Sequence, residues 1–439
     1  MLSKLFLSLI AATAASSELL PNATYDYVIV GGDTVLVLEY NYLNDNPAIL
    51  LPSDTLNFDP SRFYNITSLP IPGLLNITRN VLVGALVGGG SGVNGMFFDR
   101  GSKSDYDAWE SLGNKGWNFA SLLPYFRKSV TFTPPSDELR DRYDWTYDVK
   151  AAYGGKGDIQ LSFPPYQFPG QEYVRAAWKE LGVKRPKEAR SGIGPRSVLE
   201  KARIPIKKDL PGVGANFQDH PAGGAVWKWT KNVPSPAQGD LVTNATFYAE
   251  AKKEYESSRT GPLTVARGNQ VAFLPLKVVA GEKWKGLVDA TAAQDPTPYL
   301  PSTYESTLIA GFKAQQVLTA KLLARDDSAA YEILIGVGPA GSGALERSLS
   351  RGTININTTS PLSEPVVDYR TFSNPLDIEL AISLVQFSRK FNSLNAFASL
   401  GAVEVAPGMN VTSDADIATF LLYAVAEKAA DLIKERTKW

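Results

Sequence analysis

The chain has 439 residues, of which 44% are hydrophobic and 20% are charged, with a net charge of −1. This length suits two domains or one large two-lobed unit, and the balanced charge gives no indication of a nucleic-acid or acidic-membrane surface. The lack of cysteine excludes disulfides, thiolate catalysis and Cys-ligated metals, and the single histidine, His220, excludes a metal site built on two histidines. We identify no metal-binding motif.

The first residues are typical of a secretory signal peptide, to which we assign residues 1–17. Lys4 supplies the positive start, Leu5–Ile10 the apolar stretch and Ala11–Ser17 a small-residue cleavage zone. Glycosylation triplets Asn-x-Ser/Thr, which support secretion, begin at Asn22, Asn65, Asn76, Asn244, Asn357 and Asn410. We therefore expect a secreted, extracellular glycoprotein without a membrane anchor.

A dinucleotide-binding motif begins near the N-terminus and stops short. Tyr25–Val30 is typical of a buried strand and is followed by Gly31–Gly32, but the next strand, Val35–Leu38, comes only two residues later, with Glu39 at its end. Parallel strands need a crossover of about a dozen residues. The spacing favours a hairpin over the strand–helix–strand unit that a dinucleotide requires; a rearranged connection that keeps the strands parallel is the alternative.

Further along the chain, loops and glycines alternate with helical patterns. Residues 48–80 indicate an extended loop, and the glycines that follow cluster within 88–95. We predict helices within Asp105–Ser129, over Gln171–Leu181, over Pro375–Asn392 and over Ala415–Lys434. We predict candidate core residues in the first of these segments at Trp109, Leu112, Leu122, Leu123 and Phe126. Residues 155–163 are typical of a turn leading into a strand. From residue 222 to about 368 the pattern favours strands, namely Ala225–Trp229, Tyr331–Val337 and Gly352–Asn357.

Several motifs in a fixed order resemble the glucose–methanol–choline (GMC) family of flavin-dependent oxidoreductases, in its secreted fungal form. The most specific are VGGGSGVNGMFFDRGSKSDY at 87–106 and DLPGVGANFQDHP at 209–221. Weaker matches are YDYVIVGG at 25–32, SGIGP at 191–195, PVVDYRTFSN at 365–374 and YAVAEKAADLI at 423–433. The resemblance covers most of the chain from residue 25 to 434.

The resemblance implies an α/β fold, α+β overall, with a Rossmann-like FAD-binding domain and an antiparallel-sheet substrate domain. The FAD-binding domain would take residues 25–221, with a lid loop at about 48–80, and residues 411–439; the substrate domain would take 222–410. The activity implied is FAD-dependent oxidation of the CH–OH group of a small-molecule alcohol by an oxidase or dehydrogenase. Cofactor-binding residues implied by the matching motifs are Gly31, Gly32, Glu39, Gly88, Gly89, Ser91, Asn94, Gly95 and Met96. The resemblance assigns His220 a structural role, and Asp99, Arg100, Asp105 and Trp109 a role in supporting the glycine loop.

The chain is shorter than the family pattern at three places. The helix after Gly32 is missing, the segment between Leu181 and Ser191 is reduced, and the catalytic histidine that the resemblance implies between about Ser413 and Thr419 is absent. We therefore predict no catalytic residue and an incomplete FAD-binding domain. An inactive, flavin-free remnant and a mis-spliced gene model are the alternatives to an active FAD enzyme. An uncovered sheet face would also lower stability.

Overall fold

The computed structural model describes residues 51–181 and 212–422, except 57–58, 87, 97, 99, 144, 146, 150–152, 154–155, 267–270, 335–340 and 360–363. The centre of this region is a four-stranded antiparallel sheet in the order β5-β9-β8-β7. Its strands are β5 (Ala222–Gly224), β9 (Ser342–Leu345), β8 (Tyr331–Leu334) and β7 (Val271–Leu274). The antiparallel sheet predicted for the second half of the chain is confirmed.

The remaining described strands form four pairs. β3 and β4 are parallel, and the other three pairs are antiparallel. These pairs are β1 (Ile66–Thr67) with β2 (Asn80–Val81), β3 (Val130–Thr133) with β4 (Ile159–Ser162), β6 (Val226–Trp229) with β12 (Ala402–Ala406), and β10 (Thr353–Asn355) with β11 (Val366–Asp368).

Ten α-helices have both ends within the described residues. They are α1 (Lys103–Ser111), α2 (Phe119–Ser129), α3 (Asp137–Arg142), α4 (Gln171–Glu180), α5 (Asp240–Thr243), α6 (Ala245–Ser258), α7 (Leu276–Ala280), α8 (Trp284–Ala293), α9 (Ser306–Leu323) and α10 (Pro375–Asn392). A further helix runs from 414 to 422, where the described residues end.

Helix α10 is the central helix of the largest hydrophobic core. Asn374 caps its first turn by accepting a hydrogen bond from the Leu376 amide at 3.0 Å, and Pro375 stands at the first helical position, where a missing N–H costs nothing. Along the helix, Leu384, Val385 and other apolar side chains are fully buried against the four-stranded sheet and α4. Each such side chain contributes about 1.5–3 kcal/mol of transfer free energy.

The N-terminus of α10 is held by a buried carboxylate. Asp377 is completely buried and accepts hydrogen bonds from the amides of Leu349 at 2.7 Å and Ser350 at 2.8 Å. Burial raises the pKa of Asp377, while these two amides and the charge of Arg351 oppose that shift. Burial also lowers the pKa of Arg351 to about 10, which leaves its guanidinium charged at neutral pH. The segment between β9 and β10 is thereby attached to α10.

A second polar contact holds the other end of α10. Arg389 donates from Nε and Nη2 to the two carboxylate oxygens of Glu404 on β12, each at 2.8 Å. The carboxylate of Glu404 is fully buried and also accepts a hydrogen bond from the amide of Gly408 at 3.1 Å. This two-point geometry fixes the helix against the β6–β12 pair.

Two sequence-based interpretations differ from the structure. None of the candidate core residues within Asp105–Ser129 is fully buried, and Leu112 is 41% exposed. The two helices instead enclose Tyr106, whose ring lies 5.2 Å from those of Trp109 and Phe126. The three strands predicted within residues 222–368 are confirmed by β6, β8 and β10, but that interpretation missed five helices, α5 to α9.

The buried side chains of α9 explain why the sequence pattern does not predict this helix. Phe312, Gln316, Ala320 and Leu323 are buried at helical spacing, but one of the four is polar. The Gln316 amide is buried because it donates to the carbonyls of Thr291 at 2.7 Å and Gln294 at 2.8 Å, at the end of α8. A glutamine at a core position breaks the apolar periodicity on which the prediction depended.

Other sequence-based predictions for the described residues are confirmed. Helices lie at α1 and α2, at α4 and over the whole of Pro375–Asn392, and a strand follows residue 158. The signal peptide, the Tyr25–Val30 strand, the Gly31–Glu39 connection and SGIGP lie outside the described residues, as does most of the last predicted helix. The division into domains stays a prediction. Within the described residues, no helix is long and apolar enough to cross a membrane.

The Asp377 contact predicts a specific loss of stability. Asp377→Asn should lower the free energy of unfolding by about 3–5 kcal/mol, because the Leu349 and Ser350 amides lose a buried carboxylate acceptor and the buried Arg351 loses a nearby opposite charge. Urea denaturation followed by tryptophan fluorescence measures the change. Glu379→Gln, an exposed change on the same helix, should alter stability by less than about 0.5 kcal/mol. Equal denaturation midpoints for the two variants would contradict the assignment.

Candidate functional site

The predicted flavin-contacting loop is a tight, exposed turn. Gly89–Gly92 forms one turn of 3-10 helix, in which the Ser91 amide donates to the Gly88 carbonyl at 2.9 Å. Gly88 and Gly89 have φ angles of +97° and +49°, which glycine adopts without steric cost. A Cβ built on Gly89 or Gly90 would meet no atom within 4 Å. The loop therefore offers bare backbone to open space.

The end of this loop is held by its own side chains. The side-chain oxygen Oδ1 of Asn94 accepts a hydrogen bond from the Met96 amide at 2.9 Å, and Met96 adopts a φ of +61°. The Met96 side chain is 56% exposed. Ser91 and Asn94 are exposed and Gly95 is half-buried. The structure thus places Gly88, Gly89, Ser91, Asn94, Gly95 and Met96 in one continuous loop.

The residues predicted to support the loop do contact the helices that follow it. Arg100 is buried, with its guanidinium 5.6 Å from the Phe126 ring centre. The Asp105 carboxylate accepts a hydrogen bond from the Ser102 amide at 2.7 Å, which caps α1, and it also pairs with Arg347. This ion pair joins the loop region to the segment after β9. Asp99 lies outside the described residues.

A cavity of about 520 Å³ lies beside the four-stranded sheet. Its apolar lining includes Leu74, Trp227, Phe372, Phe420 and Leu421, and its polar lining includes Arg79, Asp219, His220, Ser342 and Tyr369. Burial raises the pKa of Tyr369 to about 12. Its phenol therefore stays protonated at neutral pH and can donate a hydrogen bond.

One wall of the cavity is bare backbone. Gly224 has a φ of +143°, and a Cβ at this position would lie 2.0 Å from the Gly341 carbonyl oxygen. A Cβ on Gly341 would in turn lie 2.0 Å from the Ala225 carbonyl oxygen. Both glycines are needed for this close approach of chains. They were not identified from the sequence, because neither lies in one of the motifs that carry the resemblance.

His220 also lines the cavity. Its Nε2 lies 3.6 Å from Oε1 of Glu346, and its side chain is 56% exposed. The structural role of His220 stays a prediction, and the imidazole is accessible rather than buried. The prediction missed the cavity position of this residue because the strand that brings it there pairs with a segment more than 100 residues away.

No histidine stands where the resemblance implied a catalytic one. Residues 413–419 include the start of the last described helix, and their carboxylates belong to Asp414 and Asp416. Asp414 accepts hydrogen bonds from Lys283 at 2.8 Å and Gln386 at 2.6 Å, and Asp416 accepts one from Ser413 at 2.6 Å. These contacts attach the last described helix to its neighbours.

Comparison with known proteins places this geometry in a family. Residues 25–190 match the family described as GMC oxidoreductase. An FAD-dependent oxidoreductase from Chaetomium thermophilum is 30% identical with a TM-score of 0.79, over 88% of this chain and 82% of that one. A fungal aryl-alcohol oxidase is 29% identical with a TM-score of 0.72, over 81% and 77%. These likenesses confirm the predicted fold class.

A curated relative also shows that this chain is shorter than a similar protein. Dehydrogenase xptC of Emericella nidulans is 28% identical over 519 aligned positions, which cover 92% of this chain and 83% of the relative. Since the chain has only 439 residues, the alignment contains segments that the relative has and this chain lacks. This agrees with the predicted internal truncation.

FAD is the cofactor that these likenesses support, and the glycine loop fits it. The backbone of a loop can come close to an isoalloxazine ring only where no side chain intervenes. Gly89 and Gly90 supply such a surface. Ser91 and the amide of Asn94 supply hydrogen-bonding groups next to it. The residues predicted for the phosphate end, Gly31, Gly32 and Glu39, lie outside the described residues.

Because Gly90 is exposed, we predict that a substitution there weakens FAD binding without lowering the stability of the protein. Gly90→Ala should leave the thermal midpoint within about 2 °C of the parent, because the new methyl group meets no protein atom. It should weaken FAD binding by about 10-fold, which is roughly 1.4 kcal/mol, because the methyl group would stand between the loop backbone and the isoalloxazine ring. Quenching of flavin fluorescence measures the affinity.

Gly286→Ala is the matched control. Gly286 lies in α8, and a Cβ there also meets no atom within 4 Å. FAD affinity should not change in this variant. If Gly90→Ala bound FAD as tightly as Gly286→Ala does, the loop would not contact the cofactor.

Proposed function

The chain belongs to the GMC oxidoreductase family, and from that premise we propose that it oxidises the CH–OH group of an aromatic alcohol with FAD as cofactor. Two observations support this proposal. The fungal aryl-alcohol oxidase is similar over most of both chains. The cavity beside the sheet has aromatic walls and a volume within the range of about 300–1,000 Å³ that is typical of small-molecule sites.

The aromatic walls suit a flat substrate. Trp227, Tyr369 and Phe420 reach the cavity from three separate parts of the chain. Aromatic rings in contact contribute about 0.5–1.5 kcal/mol beyond the area that they bury. A benzyl-type alcohol would therefore bind more tightly than an aliphatic alcohol of equal polarity.

Polar groups at the cavity would orient the alcohol oxygen. Tyr369 keeps its proton at neutral pH and would donate a hydrogen bond to that oxygen. FAD, when bound, would supply the acceptor for the hydride of the carbon–hydrogen bond, and the hydroxyl proton would pass to solvent water. The glycine loop, Gly88 to Met96, would hold the ring of the cofactor.

The reaction would be slow, because the general base implied by the resemblance is missing from residues 413–419. A positioned general base contributes about 10²–10⁴-fold to such a reaction. The remaining contributions, binding and orientation, do not depend on that residue.

Purified protein loaded with FAD should convert a benzyl-type alcohol to its aldehyde. We expect kcat about 10²–10⁴-fold below that of a relative that keeps the histidine, and a lower KM for the aromatic than for the aliphatic alcohol. Aldehyde absorbance measures turnover, and bleaching of the flavin bands under anaerobic conditions measures the half-reaction. A flavin-loaded sample that neither bleaches nor forms aldehyde would refute the proposal.

Phe420 provides a control for the location of the site. Phe420→Leu should raise KM for the aromatic alcohol by about 2–10-fold, which corresponds to the loss of one aromatic contact. Phe420→Tyr keeps the ring and should leave KM nearly unchanged. Equal effects of the two variants would place substrate binding elsewhere.

We also propose that the protein is secreted, on the basis of residues 1–17 and the Asn-x-Ser/Thr triplets. Among the described triplets, Asn65, Asn76, Asn244 and Asn410 are exposed and Asn357 is half-buried. Asn22 lies outside the described residues. Expression in a fungal host should give extracellular protein whose mass falls on endoglycosidase treatment. Retention inside the cell at unmodified mass would contradict secretion.

A further inference from the structure

One side-chain cluster at the sheet remains outside the proposed reaction. It consists of His220, Glu332 and Glu346, whose ligand atoms all lie within 4.8 Å of one another. Among the described residues, this is the group of three whose nitrogen and carboxylate atoms converge closely enough to bind a metal ion. Two carboxylates and one imidazole form a mixed nitrogen and oxygen donor set.

The sheet register creates this convergence. Ala222 on β5 pairs with Ala344 on β9, and Ala344 pairs in turn with Glu332 on β8. The Leu345 amide donates to the Pro221 carbonyl at 3.1 Å, which continues this pairing towards His220, and His220 Nε2 lies 3.6 Å from Oε1 of Glu346. Because side chains two residues apart share one face of a sheet, all three ligands lie on the same face. The small side chains of the two alanines beside Glu332 leave room for the longer ones.

The cluster contains two carboxylates and one imidazole. Arg347 follows Glu346 directly, but its guanidinium pairs with Asp105 on α1. His220 contributes a positive charge only when its imidazole is protonated. Two carboxylates at this separation repel each other, and a divalent cation between them would remove the repulsion.

We propose that His220, Glu332 and Glu346 bind one divalent first-row metal ion, of which Zn²⁺ is the best match. A tetrahedral zinc ion with bond lengths of about 2.0–2.2 Å requires ligand atoms ~3.4 Å apart. The His220–Glu346 separation of 3.6 Å is already close to that value. Imidazole ligation disfavours Ca²⁺ and Mg²⁺, which take oxygen ligands. Three protein ligands leave a fourth position open to water.

The single histidine of the chain makes the proposal directly testable. Protein produced with ¹⁵N-labelled histidine and without a histidine tag contains one imidazole, that of His220. After removal of metals with a chelator, ZnCl₂ should shift the imidazole nitrogen resonances with a 1:1 end point, and EDTA should reverse the shift. MgCl₂ at the same concentration should leave the resonances in place. Unmoved resonances at saturating zinc would overturn the proposal.

Calorimetry of the carboxylate variants completes the test. Glu332→Gln and Glu346→Gln should each weaken zinc binding at least about 10-fold, because even groups that only orient a metal ligand change affinity by about 10–100-fold. Glu282→Gln, an exposed change in the turn before α8, should bind zinc like the parent. Parent-like affinity in both cluster variants would overturn the proposal. The measurements use neither FAD nor alcohol, so their outcome is independent of the proposed oxidation.

Discussion

The buried carboxylate of Asp377 is the contact on which the second half of the fold depends. It joins the start of α10 to the amides of Leu349 and Ser350, and so fixes the exit of β9 relative to the helix that covers the sheet. Because β9 also pairs with β5 and β8, the position of this one strand determines both the cavity and the His220 cluster. An electrostatic contact, in addition to apolar packing, therefore fixes the position of β9 relative to α10.

The site combines two regions that the sequence places far apart. The glycine loop lies within residues 88–96, whereas the cavity is formed mainly after residue 219. The ion pair between Asp105 and Arg347 connects them through α1. In the proposed function, the glycine loop would offer a surface to the flavin, and the cavity would offer an aromatic enclosure to the substrate. The truncations affect other parts of the pattern, namely the N-terminal crossover and the histidine near the C-terminus.

Local signals made part of this structure predictable. The predicted bounds Pro375–Asn392 agree with the helix in the structure, whose start carries a capping asparagine and a proline at the first position. The glycine loop was predictable from its motif. Helix α9 was not, because Gln316 stands at a core position and its two carbonyl partners come from another helix. The cavity and the cluster around His220 arise from strand pairing across more than 100 residues, which no local pattern encodes.

The close approach of Gly224 and Gly341 has a consequence for how relatives of this chain can diverge. A wall made of main-chain atoms cannot be reshaped by exchanging side chains, since any residue with a Cβ would collide with a carbonyl about 2 Å away. Changes in specificity are therefore expected at lining positions that carry side chains, such as Trp227 and Phe420. In the proposed function, the side chains that line the cavity, and not its glycine wall, would therefore set the substrate preference.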